Sequence, residues 1–278
     1  MMLFVPWQHV GAQNASKNEA IDTALYVAIY DYQCRTLDDE GQPVTDQGQI
    51  AVQVGRHVVK SMSYANYLLT SKESHTWSIS DAATRYQEFK LHIPTVFTNH
   101  PEGETTVREF IHPNEFEGSE PTPSISWTLC EDTLTVGGYA CRTATCTFRG
   151  LEWHVCYTEE VPSSAGPWRL HGLPGLIVQA ESEAHTFCLT ELQQENSPII
   201  FDQNPNIQRM RYDKYLSYKN KTYSNKQYPK NPNYYLPDLN SYITYMEIYN
   251  YEGDQQYLYV NGQPLLMKAH VYQPLELE

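Results

Sequence analysis

Tyr139-Ala140-Cys141-Arg142-Thr143-Ala144-Thr145-Cys146-Thr147-Phe148 and Glu152-Trp153-His154-Val155-Cys156-Tyr157 are two runs of β-forming residues joined through Arg149-Gly150. Threonine, tyrosine, valine and the large aromatics suit a pleated, half-buried surface. Two such runs meeting at a glycine-containing turn predict an antiparallel hairpin. Immediately upstream, Thr133-Leu134-Thr135-Val136 enters the hairpin through Gly137-Gly138, which adds a further extended run.

Strands continue in both directions at the spacing of an all-β protein. Thr105–Ile111, Ser124–Leu129, Leu176–Ala180 and Thr186–Glu191 read as strands, as do Ser241–Asn250 and Gln256–Val260. Towards the N-terminus, Ile21–Cys34 ends at the turn-rich Asp38-Asp39-Glu40-Gly41. Ile50–Val59 alternates, and its Gly55 marks a bulge or a close approach. One short helix is predicted over Asp81–Phe89, capped by Ser80 or Asp81. Residues 203–240 are rich in Asn, Lys, Pro and Tyr without a sustained period, which predicts a long polar surface insertion. The expectation is a mainly β, single domain over residues 14–278.

The 278 residues are ample for a real core, and 41% hydrophobic with 13% aromatic content excludes wholesale disorder. Tyrosine outnumbers phenylalanine 22 to 8, suiting strands and half-wet surfaces. A formal charge of −14 argues against general affinity for nucleic acid or anionic membranes. Between Pro205 and Tyr235, however, seven basic residues face one acid, Asp213. That basic window reads as a solvated loop.

Met1–Trp7 is a short apolar run followed by small residues at Val10 and Ala12, resembling the end of a secretory signal over residues 1–13. No stretch approaches the roughly 18 uninterrupted apolar residues of a membrane span. Cys34 lacks a preceding apolar lipobox. Export is therefore expected, with six cysteines permitting disulfides. Cys130, Cys141, Cys146 and Cys156 cluster on neighbouring strands, so one or two bridges among them are expected, with the pairing open.

The densest signal is Val161–Ala180, VPSSAGPWRLHGLPGLIVQA. Gly166-Pro167-Trp168 reads as a rigid bend presenting an aromatic ring. Leu173-Pro174-Gly175-Leu176 fits a type II turn, with glycine at the position needing φ > 0, and Leu176-Ile177-Val178 enters a buried strand. Nothing in the segment is nucleophilic or acidic, so its role reads as architectural.

Gly172-Leu173-Pro174-Gly175-Leu176-Ile177 is the hexamer that names the GLPGLI family of Gram-negative envelope proteins, and this chain resembles that family over nearly its whole length. Trp127, Asp132-Thr133, Gly138-Tyr139-Ala140-Cys141, Ala144-Thr145, Phe148-Arg149-Gly150, Tyr157-Thr158, Gly166-Pro167-Trp168 and the closing Pro274-Leu275-Glu276-Leu277-Glu278 follow in order. Val52-Gln53-Val54-Gly55 is similar to the family's LQIG element. Cys130, Cys146, Cys156 and the Tyr/Asn/Lys-rich insertion depart from the pattern. The resemblance implies an exported protein of the periplasm or envelope, and no catalytic residues. By analogy with lipoprotein carriers, the sheet is expected to be large, curved, antiparallel and open like a half-barrel.

A metal site from His154, Cys156 and Cys141 or Cys146 is disfavoured because no Cys-x-x-Cys pair accompanies it. The expected function is non-catalytic: a binding or carrier module for an apolar or amphipathic ligand or an outer-membrane partner, with no cofactor, metal or nucleic acid. The alternative is an envelope hydrolase whose site assembles from distant residues, with His154, His171 and Glu159 first in line.

Overall fold

The computed structural model describes residues 17–38, 40–71, 91–111, 114–224, 246–250, 256–260, 263–267 and 271–277. The signal-like residues 1–13 and the helix expected over 81–89 lie outside the described residues. The fold is a mainly β single domain on one large sheet, without a closed barrel.

The strands in chain order are β1 (Lys17–Thr23), β2 (Tyr26–Leu37), β3 (Pro43–Val54), β4 (Val59–Ser63), β5 (Thr95–Thr98), β6 (Glu104–Ile111), β7 (Asn114–Pro121), β8 (Thr128–Val136), β9 (Tyr139–Phe148) and β10 (Leu151–Thr158). They are followed by β11 (Leu176–Glu181), β12 (His185–Gln194), β13 (Pro198–Gln203) and β14 (Gln208–Arg211). Twelve of them form one sheet in the order β14-β7-β6-β5-β4-β3-β2-β12-β11-β10-β9-β8. Every pair is antiparallel except β14 with β7. The predicted hairpin is β9–β10, with Arg149 (φ 55°) and Gly150 (φ 76°) at its turn. The two runs expected on either side of Cys130 are one strand, β8, whose register shifts between Leu129 and Thr133. Met246–Asn250, Gln256–Val260 and Gln263–Met267 (β15–β17) form a separate antiparallel sheet.

β1 and β13 pair with each other and with no strand of the large sheet. β1 runs into β2, and β12 runs into β13, so this ribbon continues the β2–β12 ladder past Tyr26 and Gln194. The bend is fixed by Ala24 N–H donating to Ser197 O at 2.8 Å and Glu195 N–H donating to Leu25 O at 3.0 Å. The resulting arm lies across one face of the sheet. It is clasped by Asp22, whose Oδ2 accepts from the backbone N–H of His57 and Val58 at 2.7 and 2.9 Å. Gly55 admits this carboxylate, since a Cβ there would sit 2.3 Å from Asp22 Oδ2. The close approach anticipated at Gly55 is real.

Burial along β2 records how the sheet is covered. Val27, Ala28, Ile29 and Tyr30 are all buried, whereas Asp31, Tyr32, Gln33 and Cys34 alternate exposed and buried. Alternation means one wet face; its loss means cover on both. On the second face, helix α1 (Tyr64–Ser71) covers the early part of β2 and its neighbours, packing Tyr64 and Tyr67 on Val27, Ile29 and Ala51, and the β1–β13 arm reaches Lys60 of β4 and Arg108 of β6. The first face is covered by the segment before β11, by helix α2 (Tyr212–Tyr223) and by the strap 271–277, except at β8, which is mostly exposed.

The Val161–Ala180 reading holds in outline. Leu176, Ile177 and Val178 enter the core at 0–1% exposure, and Trp168 packs on Phe148 and Trp153 at 5.7 and 5.8 Å. Gly175 does not occupy the positive-φ position expected of a type II turn; the left-handed residues are Trp168 (φ 56°) and Gly172 (φ 95°). Glycine is required at 175 because a Cβ would lie 2.1 Å from Thr158 O.

The polar insertion begins as structure rather than loop. Residues 208–223 form β14 and α2, and α2 buries Tyr212, Tyr215, Leu216, Lys219 and Tyr223 at helical spacing. Residues 225–245 lie outside the described residues.

Candidate functional site

The residues singled out in the sequence for catalysis do not converge. His154 is exposed on β10, paired with Thr145 and Glu181. Glu159, about 16 Å further along the chain by strand rise, ion-pairs with Arg142 at 3.6 Å, both side chains more than half exposed. His171 Nδ1 donates to Arg169 O at 2.8 Å. Among the described residues, no group of three or more His, Cys, Asp and Glu side chains is placed to hold a metal ion.

The expected disulfides are absent: all six thiols are free. Sheet geometry accounts for the Cys146–Cys156 pair. Cys146 stands opposite Trp153, three residues from Cys156, so the two sulfurs leave opposite faces. Cys141 stands opposite Leu134, and Cys130 sits in the irregular stretch of β8. Burial pushes the thiols of Cys34 and Cys146 up to about 11 and about 12, which makes them poor nucleophiles.

A buried polar cluster does assemble, on the second face beneath the β1–β13 arm. Lys60 on β4 stands opposite Phe97 on β5, and Arg108 on β6 stands opposite Glu117 on β7. Lys60 and Arg108 are 4% and 6% exposed. Lys60 Nζ donates to Ile200 O of the arm at 3.0 Å and lies 5.3 Å from the centroid of the Phe97 ring. The Arg108 guanidinium donates to Asp202 O, stacks 3.7 Å over Phe201, and donates through Nε to Glu117 Oε2 at 2.7 Å. Arg209 takes the other oxygen of Glu117 at 3.1 Å. His100 packs edge-on against Phe201 at 4.5 Å. Asp202 Oδ1 is buried without a hydrogen-bond partner.

Lys60 differs from the other buried cations. Arg169 holds Glu276 at 2.9 Å and Lys219 holds Glu109 at 2.9 Å, but no described carboxylate lies within ion-pair distance of Lys60. Burial, with Arg108 adding repulsion and Asp202 opposing it, lowers its pKa to about 8. About a tenth of the amine is then uncharged at pH 7, far more than in an ordinary lysine. The only mark of Lys60 in the sequence is a lone cation inside the run Val58-Val59-Lys60-Ser61-Met62.

On the first face, two balanced networks fasten α2 and the strap. Glu276 accepts from Arg169 and Tyr212, while Glu120 accepts from Arg149 and Arg169. Glu109 accepts from Tyr215 at 2.6 Å and Tyr223 at 3.0 Å and pairs with Lys219. His185 Nε2 meets Pro274 O at 3.2 Å, so that nitrogen carries the proton and Nδ1 accepts from the Tyr32 hydroxyl at 2.8 Å. Each charge here has its counter-charge, which suits a structural seam.

Comparison of the sequence with known protein families and with curated proteins finds no match. Among solved structures, the chain is similar to PNGF-II in two crystal forms, at 14% identity in each. The TM-scores are 0.47 and 0.43, covering 70% and 68% of this chain. The match spans 32% of the PNGF-II chain, about a third of its length. The expectation of a non-catalytic carrier with an aromatic-lined ligand face is corrected by the packing. Trp153, Tyr30, Tyr32 and Phe187, large aromatic rings of the sheet, are at most 1% exposed and packed on the protein's own side chains. No helix among the described residues is long and apolar enough to cross a membrane.

Proposed function

We propose that this chain is an exported envelope protein of the GLPGLI type that works as a hydrolase, with Lys60 as general base. The observation that carries the catalytic part is the buried Lys60 amine, unpaired with any described carboxylate and poised at about 8. A base is most effective when its pKa lies near the working pH. In hydrolysis, Lys60 Nζ takes a proton from water as the water oxygen attacks an electrophilic carbon. Arg108 supplies positive charge to the oxygen on which negative charge develops. The site is assembled from distant residues, as the sequence alternative required, but from Lys60, Arg108 and Asp202 rather than His154, His171 and Glu159.

Support for the family and envelope reading comes from convergence. Arg149, Trp168, the strand opened by Gly172–Ile177, and Pro274–Glu276 were quoted as separate motifs, and they meet in one buried cluster. The test is a panel of chromogenic ester, amide and glycoside substrates across pH 6–10. The reading expects activity that rises with a midpoint near 8 and falls at least about 100-fold in Lys60→Met. Activity unchanged in that variant, or none on any substrate class, overturns it.

A further inference from the structure

Hydrolysis uses Lys60 only as a base, yet its nitrogen also carries a lone pair. A single backbone carbonyl, Ile200 O at 3.0 Å, holds the amine on the arm side, with the Phe97 ring against it. The Arg108 guanidinium lies in the same cluster, stacked on Phe201. A buried amine whose proton is loosened by an apolar wall and a neighbouring cation is in the environment that activates lysine towards carbonyl carbon. We propose that Lys60 condenses with small aldehydes and ketones to form a Schiff base beneath the β1–β13 arm. The inference rests on the preceding reading only for the loosened proton of this amine, not for hydrolysis.

The step balances without oxidant or reductant. The Nζ lone pair forms a bond to the carbonyl carbon, the C=O π pair moves to oxygen, and a proton passes from nitrogen to that oxygen. The carbinolamine oxygen, protonated once more, leaves as water while the C=N bond forms. Arg108 stabilises the oxygen as it becomes negative, and the unpartnered Asp202 Oδ1 is an acceptor for the proton in transit. Among the described residues, the charged and titratable groups around this cluster are Arg108 on β6, Glu117 on β7, Asp202 on β13, Glu19 on β1 and His100 before β6.

Access runs through the arm. An isolated two-stranded ribbon is marginal by itself. This one is held by the Asp22 clasp and by side chains of the sheet: Gln53 to Ser197 at 3.3 Å, Lys60 to Ile200, and Arg108 to Asp202. Its opening frees the amine and admits a small molecule together.

The experiment treats the full chain with acetaldehyde and cyanoborohydride at pH 7 and maps N-ethyl lysine by peptide mass spectrometry. At that pH a lysine titrating near 8 has a free-amine fraction about 200-fold above an ordinary lysine. After allowance for arm opening, Lys60 should be modified about 10-fold faster than the surface residue Lys221. The advantage should collapse at pH 11, and Arg108→Met should reduce it several-fold by removing the repulsion. Modification that follows exposure, with Lys60 slowest, overturns the proposal. Labelled Lys60 without hydrolytic activity leaves the inference standing and removes the hydrolase reading; Lys60-dependent hydrolysis without label does the reverse.

Discussion

Replacing Lys60 by methionine should make the protein more stable at neutral pH and less stable at alkaline pH. The unfolded chain protonates this lysine at an ordinary 10.5, the folded chain at about 8. The gap corresponds to about 3 kcal/mol against burying the charged form. Below pH 8 both states carry the proton and the folded protein bears the whole cost. As pH rises from 8 to 10.5 the unfolded chain binds more protons than the folded one, so wild-type stability increases. Methionine fills similar volume and removes this dependence, but it leaves Ile200 O without its donor, at about 1–2 kcal/mol. Lys60→Met should therefore gain about 1–2 kcal/mol at pH 7. The difference from wild type should move by about 2 kcal/mol against the variant by pH 9.5. Urea unfolding of both proteins at half-unit steps from pH 7 to 9.5 measures it, and tyrosine ionisation cancels in the difference. Parallel stability curves across that range would refute the reasoning.

Burial holds His185 down to about 4, so acidification through 6.5 to 4 should cost about 3 kcal/mol as the unfolded chain takes up a proton that the fold refuses; His185→Gln should make that limb shallower in thermal scans, the remainder coming from His92, held down to about 3 by its burial. Gly175→Ala forces a Cβ to 2.1 Å from Thr158 O and should destabilise by about 3 kcal/mol or prevent folding, read by urea midpoint. Glu276→Gln leaves Arg169 buried with half its compensation and should cost about 3 kcal/mol; limited proteolysis should then find the strap 271–277 released. Thiol titration should count six thiols in denaturant, with Cys34, Cys141 and Cys146 protected in the native state.

Local chemistry was legible where it acts locally. The β9–β10 hairpin, the strand launched at Leu176 and the tight approach at Gly55 each follow from neighbouring residues. α2 was hidden because its buried face is built from tyrosines and a lysine, whose polar tips are satisfied by Glu109 and Glu276 from elsewhere in the chain. Composition counts such residues as surface. The disulfide expectation failed for a related reason: cysteine spacing does not report which face a strand presents. Lys60 was invisible because its burial depends on Ile200, 140 residues away, and on an arm that is an extension of strands at the opposite end of the β4 neighbourhood. A lysine in a strand is ordinarily a wet-face residue until something covers it.

The most direct measurement is the titration of Lys60 itself, followed by carbon-13 NMR of protein labelled at lysine Cε, with Lys60→Arg to assign the signal. The account predicts one lysine resonance with a midpoint near 8, missing in the variant. A Lys60 signal titrating with the ordinary lysines near about 10.4 would contradict it.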